Sequence, residues 1–127
     1  MDNSGKSALG LDANVAAGLA YIPFCLIGII MSIIIIATDK TNKLARFHAF
    51  QSLLLVALWI VTYIIVVVIV GAAAATNSGA LTMVAGLLWF VVIIGFLIAV
   101  IFTCIQAFMG KMFKLPIIGG MADNWSN

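Results

Sequence analysis

The sequence predicts an all-α integral membrane protein: a bundle of three transmembrane helices followed by a short interfacial C-terminal tail. Of its 127 residues, 65% are apolar and only 8% are charged, whereas a soluble domain carries about a quarter charged residues. Three apolar runs each reach the roughly 20 residues that cross a hydrocarbon core as a helix. The net charge of +2 is scattered, unlike the dense basic stripe of a nucleic-acid-binding protein. We therefore expect the lipid bilayer as a partner and no nucleic acid.

The first span is expected over residues 16–37, where Pro23, Cys25 and Ser32 are the only interruptions of the apolar run. Proline within a helix removes one backbone hydrogen bond. A bend is therefore expected at Pro23, and neighbouring helices can satisfy the freed carbonyl in a membrane.

The second span is expected over residues 53–75, with its helix starting near residue 44, and the third over residues 80–109. The third run exceeds the length needed for one crossing but is too short for two, so it must tilt or project into the interface. Residues 110–127 form the interfacial tail. At this length the chain makes a single membrane domain, residues 1–127.

Loop charges predict the orientation. Lys40, Lys43 and Arg46 separate the first two runs, no charge separates the second from the third, and Lys111 and Lys114 follow the third. Positive residues of short loops stay on the cytoplasmic side. With three spans, this distribution places the N-terminus outside and the C-terminus in the cytoplasm. The four lysines are predicted to be interfacial anchors.

Small residues predict where helices contact one another, because helices in lipid associate through close backbone approach. The pattern fits contacts within one chain as well as contacts between subunits. The candidates are Gly28 and Ser32 in the first span, and Gly95, Ala99, Thr103 and Ala107 at four-residue spacing in the third.

The chemically distinctive stretch opens the second helix at residues 46–52, RFHAFQS. His48, Gln51 and Ser52 share one helical face, and with Arg46 and Gln106 they are the candidate functional residues. Three interpretations stay open. These side chains fix the helix register through hydrogen bonds; or they serve gating, substrate lining or proton handling, since an imidazole titrates near neutral pH; or His48 binds a chlorophyll or haem.

Catalytic groups are missing from the predicted spans. The chain has one histidine and four acidic residues, and every acid lies outside the spans. This leaves no acid–base pair, no activated nucleophile and no metal-ligand spacing. We expect no enzymatic activity and no resident cofactor.

Three segments carry a family resemblance: residues 14–21 (NVAAGLAY), residues 46–52 (RFHAFQS) and residues 114–119 (KLPIIG). In this order and spacing they resemble a family of small prokaryotic membrane proteins related to the twenty-kilodalton Tic component of the chloroplast inner envelope. That family includes the magnetosome membrane protein MamF and its relatives. The resemblance covers nearly the whole chain, and it implies the cytoplasmic membrane of a prokaryote or a membrane derived from it. Plastid relatives act in protein import, magnetosome relatives influence crystal growth, and most bacterial members have no assigned activity.

The leading hypothesis is a non-enzymatic membrane protein that acts as a homo-oligomer or as an accessory or assembly subunit of a larger membrane complex. Its partners would be copies of itself or other membrane-protein subunits. One alternative is a protein- or solute-conducting path lined by His48, Gln51, Ser52 and Gln106. The other is a pigment- or haem-binding subunit that uses His48.

Overall fold

The structure is a computed structural model that describes residues 5–7, 10–20 and 26–127, with backbone only at positions 26 and 27. Over this part of the chain the regular structure is helical, without strands, which confirms the all-α prediction. Lys6 and Asp12 form an isolated antiparallel bridge. The five helices are α1 (Ala13–Leu19), α2 (Leu26–Thr38), α3 (Lys43–Ala75), α4 (Gly79–Phe108) and α5 (Ile118–Ser126).

The predicted first span is two short helices rather than one long helix. Helix α1 has 7 residues and α2 has 13, so they measure about 10 Å and 20 Å, and neither crosses a core of about 30 Å. Ala16 packs in one cluster with Ile35, although the two would lie about 28 Å apart in a single straight helix. The chain therefore doubles back between α1 and α2. The predicted bend at Pro23 lies outside the described residues.

The prediction of three spans is not confirmed. Among the described residues, two helices, α3 and α4, are long and apolar enough to cross a membrane. The difference arises because hydropathy counts apolar residues and does not distinguish one long helix from two short ones that pack side by side.

Side-chain caps fix where the two long helices begin. The Oδ1 atom of Asn42 accepts a hydrogen bond from the Ala45 amide at 3.2 Å, as an N-cap residue does at the third helical position. The Asn42 amide in turn donates to Oδ1 of Asp39 at 3.0 Å. Ser78 caps α4 through the Leu81 amide at 3.3 Å. Helix α3 thus starts at Lys43, one residue before the predicted start.

Residues Met1–Leu55 and Val100–Asn127 form one compact unit. It contains α1, α2, α5, the start of α3 and the end of α4, and it holds all six lysine and arginine residues. Most residues in its two apolar clusters are alanines, which let the helices approach closely. One cluster contains Ala13, Ala17, Leu44 and Ala107, and the other contains Ala16, Ala20, Ile35, Ala45 and Ala49.

Residues Val56–Ala99 form the second compact unit, an antiparallel pair of helical segments. Aromatic contacts fix its register: the ring centroids of Trp59 and Trp89 lie 5.9 Å apart, those of Tyr63 and Trp89 5.5 Å apart, and those of Trp59 and Phe96 4.9 Å apart. The unit contains no charged residue. Most of its large apolar side chains are exposed.

Candidate functional site

The side chains of Arg46, His48, Gln51 and Ser52, here called the polar cluster, lie in the first three turns of α3. His48 and Gln51 are fully buried, Ser52 is buried and Arg46 is half-buried. Buried polar groups of this kind require hydrogen-bond partners, because an unpaired group away from water is costly. Their partners therefore define what the cluster does.

Gln51 binds the segment of residues 111–115, here called the connecting segment, which joins α4 to α5. Its Nε2 atom donates to the Phe113 carbonyl at 3.0 Å, and its Oε1 atom accepts from the Leu115 amide at 3.1 Å. One side-chain amide thus supplies both a donor and an acceptor to alternate residues of the connecting segment. No apolar side chain could satisfy these two backbone groups.

His48 binds the same segment two residues earlier. Its Nε2 atom lies 2.8 Å from the Lys111 carbonyl oxygen. A carbonyl only accepts hydrogen bonds, so Nε2 carries the hydrogen. The imidazole is further positioned by an edge-to-face contact with Phe47, at a centroid distance of 4.9 Å. His48 and Gln51 therefore hold the connecting segment at residues 111, 113 and 115.

Arg46 binds the carboxyl end of α2. Its Nη1 atom donates to the Ile36 carbonyl at 3.1 Å and to the Asp39 carbonyl at 2.9 Å. The last carbonyls of a helix have no partner within the helix, and a cation there also interacts favourably with the helix dipole. The Nε atom of Arg46 donates to the Ser126 carbonyl, in the last turn of α5, at 3.3 Å.

Ser52 binds the carboxyl end of α1. Its hydroxyl donates to the carbonyl of Ala20, the C-cap residue of that helix. A nearby hydroxyl, that of Ser32, donates to the Gly28 carbonyl of its own helix at 2.7 Å. The polar cluster thus donates to the carbonyl ends of α1, α2 and α5 and to the segment after α4. Its side chains bond to the backbone, as donors throughout and, at Oε1 of Gln51, also as an acceptor.

The remaining predicted polar residue, Gln106, lies half-buried on α4. Its backbone carbonyl accepts from the Lys111 amide at 2.9 Å. Within the described residues its side chain is not joined to the polar cluster by a hydrogen bond. The structure therefore brings four of the five predicted residues together.

The predicted small-residue ladder divides between the two compact units. Thr103 and Ala107 are buried in the unit with α1, and Ala99 is half-buried. Gly95 is exposed, and a Cβ atom added there would meet nothing within 4 Å. In α2, Gly28 and Ser32 are buried.

The predicted lysine anchors lie in two settings. Lys43 and Lys114 share one carboxylate: their Nζ atoms lie 3.2 Å and 2.8 Å from the two oxygens of Asp123. Hydrogen bonds from Lys114 and then Lys43 hold the pKa of Asp123 below its usual value. Lys40 and Lys111 have exposed side chains.

Sequence reasoning missed three residues that organise this site. Asp39 and Asn42 build the turn into α3, and Asp123 joins α5 to two lysines. The first two could have been found, because Asp and Asn just before a helix are a capping signal. Asp123 carries no such signal.

Comparisons with known proteins identify the family. A family model described as the magnetosome magnetite crystal formation protein family matches residues 9–122, which include the polar cluster and the connecting segment. The chain belongs to the magnetosome magnetite crystal formation protein family. It is also similar to the UPF0132 membrane protein MJ1443 of Methanocaldococcus jannaschii, with 33% identity over 123 residues that make up 96% of each chain. No solved structure matches.

The chain is therefore a membrane protein of the magnetosome magnetite crystal formation family, and its two long apolar helices agree with that assignment. The predicted resemblance to the family that includes MamF is confirmed. The relation to the Tic component stays a prediction.

Proposed function

We propose that this family member is a non-enzymatic membrane protein that acts through protein contacts, as a homo-oligomer or as an accessory or assembly subunit of a membrane complex. The unit Val56–Ala99 supports this proposal. It contains no charged residue. Each of its two helical segments covers only one side of the other, so side chains such as Val68 and Val91 are 64% and 65% exposed. Surface of this kind contacts lipid or another apolar protein surface.

The hydrogen bonds of the polar cluster favour this proposal over the two alternatives. A histidine that binds haem or chlorophyll presents a ring nitrogen to the cofactor, whereas His48 is fully buried and its Nε2 atom donates to the Lys111 carbonyl. A conducting path needs polar side chains that face a shared channel. Gln51 and Ser52 instead bond to backbone groups of their own chain.

The family description refers to magnetite crystal formation, and our proposal gives this chain no direct contact with mineral. Of its three described acids, Asp39 is buried and accepts from the Asn42 amide, Asp123 binds two lysines, and Asp12 is a single exposed carboxylate before α1. The described residues contain no group of three or more metal-ligating side chains placed to hold an ion. A role in crystal growth would therefore act through other membrane proteins.

We further propose that α3 and α4 cross the cytoplasmic membrane of a prokaryote while α1 and α2 enter and leave it from the cytoplasmic side. Ala13, at the start of α1, packs in one cluster with Leu44, and α2 ends shortly before α3 begins. Ala20, beyond the end of α1, meets Ser52, nine residues after Lys43. The pair thus reaches about 14 Å along α3, half of a 30 Å core.

This proposal puts the N-terminus on the cytoplasmic side, whereas three spans predict it outside; both placements keep the loop and C-terminal basic residues cytoplasmic. Lys6 lines the same surface pocket as Leu44 and Gly110, so it lies with the other basic residues. All six then lie on the cytoplasmic side, as positive residues near spans do. The uncharged turn around Asn77 lies on the other side.

Cysteine cross-linking in native membranes tests the proposed function. Gly86 is exposed, with nothing within 4 Å of an added Cβ atom, whereas its neighbour Ala85 is buried. In a chain carrying Cys25→Ala and Cys104→Ala, we expect Gly86→Cys to cross-link to a second copy or another membrane protein, and Ala85→Cys to give no product. A Gly86→Cys chain that stays uncross-linked and purifies as a monomer without partners in mild detergent would contradict the proposal.

A further inference from the structure

Helix α5 has one buried face, and a second group of apolar side chains beside it is partly exposed. Ile118, Ala122 and Ser126 are buried. Met121 and Trp125 lie four residues apart on a different face of α5, 40% and 50% exposed, and Ile117, the N-cap residue just before the helix, is 87% exposed. These three residues, here called the α5 stripe, form an exposed apolar surface in the compact unit that contains all the basic residues.

The first residue of the α5 stripe is held in a strained conformation. Ile117 has φ 69° and ψ −63°, and the Ile118 amide donates to the Pro116 carbonyl at 2.8 Å. These values define a classic γ-turn, which is rare and strained, and a β-branched residue rarely adopts a positive φ. Because the Ile117 side chain is exposed, packing within this chain does not offset the energetic cost of its backbone conformation. Strain of this kind points to a contact outside it.

Contacts with α3 show which way the α5 stripe faces. On one flank of α5, Asp123 binds Lys43, the first residue of α3. On the other flank, Trp125 packs edge-to-face on Phe50 at a centroid distance of 6.0 Å. Phe50 lies seven residues, about 10 Å, further along α3. Asp123 therefore faces the first turn of α3, and Trp125 faces the same helix about two turns further along.

We propose that α5 lies along the membrane surface where α3 begins, with Ile117, Met121 and Trp125 inserted between lipid acyl chains. A helix with this amphipathic arrangement lies in the interface, its apolar side chains about 5–10 Å below the headgroups, and tryptophan prefers that level. The exposed side chains of Lys111 and Lys114 provide charges for anionic headgroups. The inference is independent of the oligomeric state in the proposed function.

Fluorescence quenching by brominated lipids tests the insertion. The full chain is reconstituted in vesicles of phosphatidylcholine and phosphatidylglycerol, with bromine either near the headgroup or near the acyl-chain end. The contribution of Trp125 is the difference between the unmodified chain and Trp125→Phe. We expect bromine near the headgroup to quench about half of the Trp125 fluorescence, since the expected depth of the side chain is about 5–10 Å. Bromine at the acyl-chain end should quench less of it, and aqueous iodide should have no effect.

Two results would overturn the inference. Quenching by iodide and not by bromine would place Trp125 in water. Protection from both quenchers would mean that another protein surface covers the α5 stripe.

A second comparison separates insertion from a general loss of structure. Ile117→Gly removes the side chain while relieving the positive φ, and combined with Met121→Ser it removes most of the α5 stripe. We expect this double variant to lose the bromine quenching of Trp125, whereas Asn124→Ser, an exposed polar change on the same helix, keeps it. Unchanged quenching in the double variant would also refute the inference.

Discussion

At the scale of single residues, the polar cluster shows that side chains typical of catalytic or ligand-binding sites can instead stabilise the fold. Arg46, His48, Gln51 and Ser52 each donate to a main-chain carbonyl that is the end of another element or follows one. Carbonyl ends of helices lack partners, and water in a membrane is too scarce to supply them. The first turns of α3 supply the missing donors.

Gln51→Ala tests this role, because it leaves the Phe113 carbonyl and the Leu115 amide without their partner. An unsatisfied buried backbone group costs about 1–3 kcal/mol, and because both of these hydrogen bonds are only part-buried we expect the free energy of unfolding to fall by about 2–4 kcal/mol. Denaturant unfolding followed by circular dichroism measures it. Gln106→Ala, a half-buried amide outside the cluster, is the matched control and should change stability by about 0.5 kcal/mol or less. Equal losses in the two variants would show that the hydrogen bonds of Gln51 are unimportant.

His48→Gln and His48→Ala separate a donor from a ligand at this position. A glutamine Nε2 atom can replace the histidine Nε2 atom as a donor to the Lys111 carbonyl, whereas alanine cannot. We expect His48→Ala to lose about 1–3 kcal/mol of unfolding free energy and His48→Gln to lose less than half of that. A glutamine variant as unstable as the alanine variant would refute the donor role.

The sequence could place these residues on one face at the start of a membrane helix, because helical spacing and the edge of an apolar run are local properties. The hydrogen-bond partners of these residues could not be predicted from the sequence. Gln51 bonds to backbone groups 62 and 64 residues away, and backbone groups are the same at every position. Only the fold reveals which carbonyls lack a donor.

At the scale of elements, the packing of α5 depends on the close approach of Gly119 to the backbone of Lys114. A Cβ atom added at Gly119 would lie 2.7 Å from Cα of Lys114, whereas one added at Gly120 would meet nothing within 4 Å. We expect Gly119→Ala to destabilise the docking of α5 by about 1–3 kcal/mol. Gly120→Ala should stabilise the helix by up to about 1 kcal/mol. Hydrogen exchange of the α5 amides measures both, and a similar effect of the two changes would contradict the packing.

Asp123 makes the docking of α5 sensitive to acid. Lys114 and Lys43 hold its pKa below the usual value, so the ionised carboxylate contributes to docking above the usual aspartate pKa. This contribution is lost as the pH falls through the lowered pKa of Asp123. We expect α5 amide protection, corrected for intrinsic exchange, to be constant from neutral pH to about pH 5 and to fall below pH 4. Asp123→Asn should show reduced protection at neutral pH and little further change in acid; an acid response retained in this variant would contradict the assignment to Asp123.

Elements with strong local signals were predictable, and the others were not. The caps Asn42 and Ser78 and the continuous apolar runs between them place α3 and α4 close to the predicted bounds. Helix α5 contains two adjacent glycines and a short polar end, so its local propensity is low and its helix rests on packing. The division of the first apolar run into α1 and α2 rests on contacts of Ala16 and Ala20 with Ile35, which hydropathy does not report.

At the scale of the whole molecule, the charged residues and the exposed apolar residues of the membrane helices lie mainly in different compact units. All basic residues belong to the unit formed by Met1–Leu55 and Val100–Asn127, and the uncharged unit is Val56–Ala99. Within the described residues, neither α1 nor α2 is long enough to cross a membrane by itself. These features support the proposal that α3 and α4 cross the bilayer while α1 and α2 return to the side from which they enter.

Labelling of single cysteines with a membrane-impermeant maleimide tests this claim most directly. Lys6→Cys and Thr76→Cys are placed separately in a chain carrying Cys25→Ala and Cys104→Ala, in right-side-out and in inside-out vesicles. Position 6 is exposed before α1, and position 76 is exposed between α3 and α4. We predict that Lys6→Cys reacts in inside-out vesicles only and Thr76→Cys in right-side-out vesicles only. Labelling of Lys6→Cys from the same side as Thr76→Cys would show that the first apolar run crosses the membrane and would contradict the account.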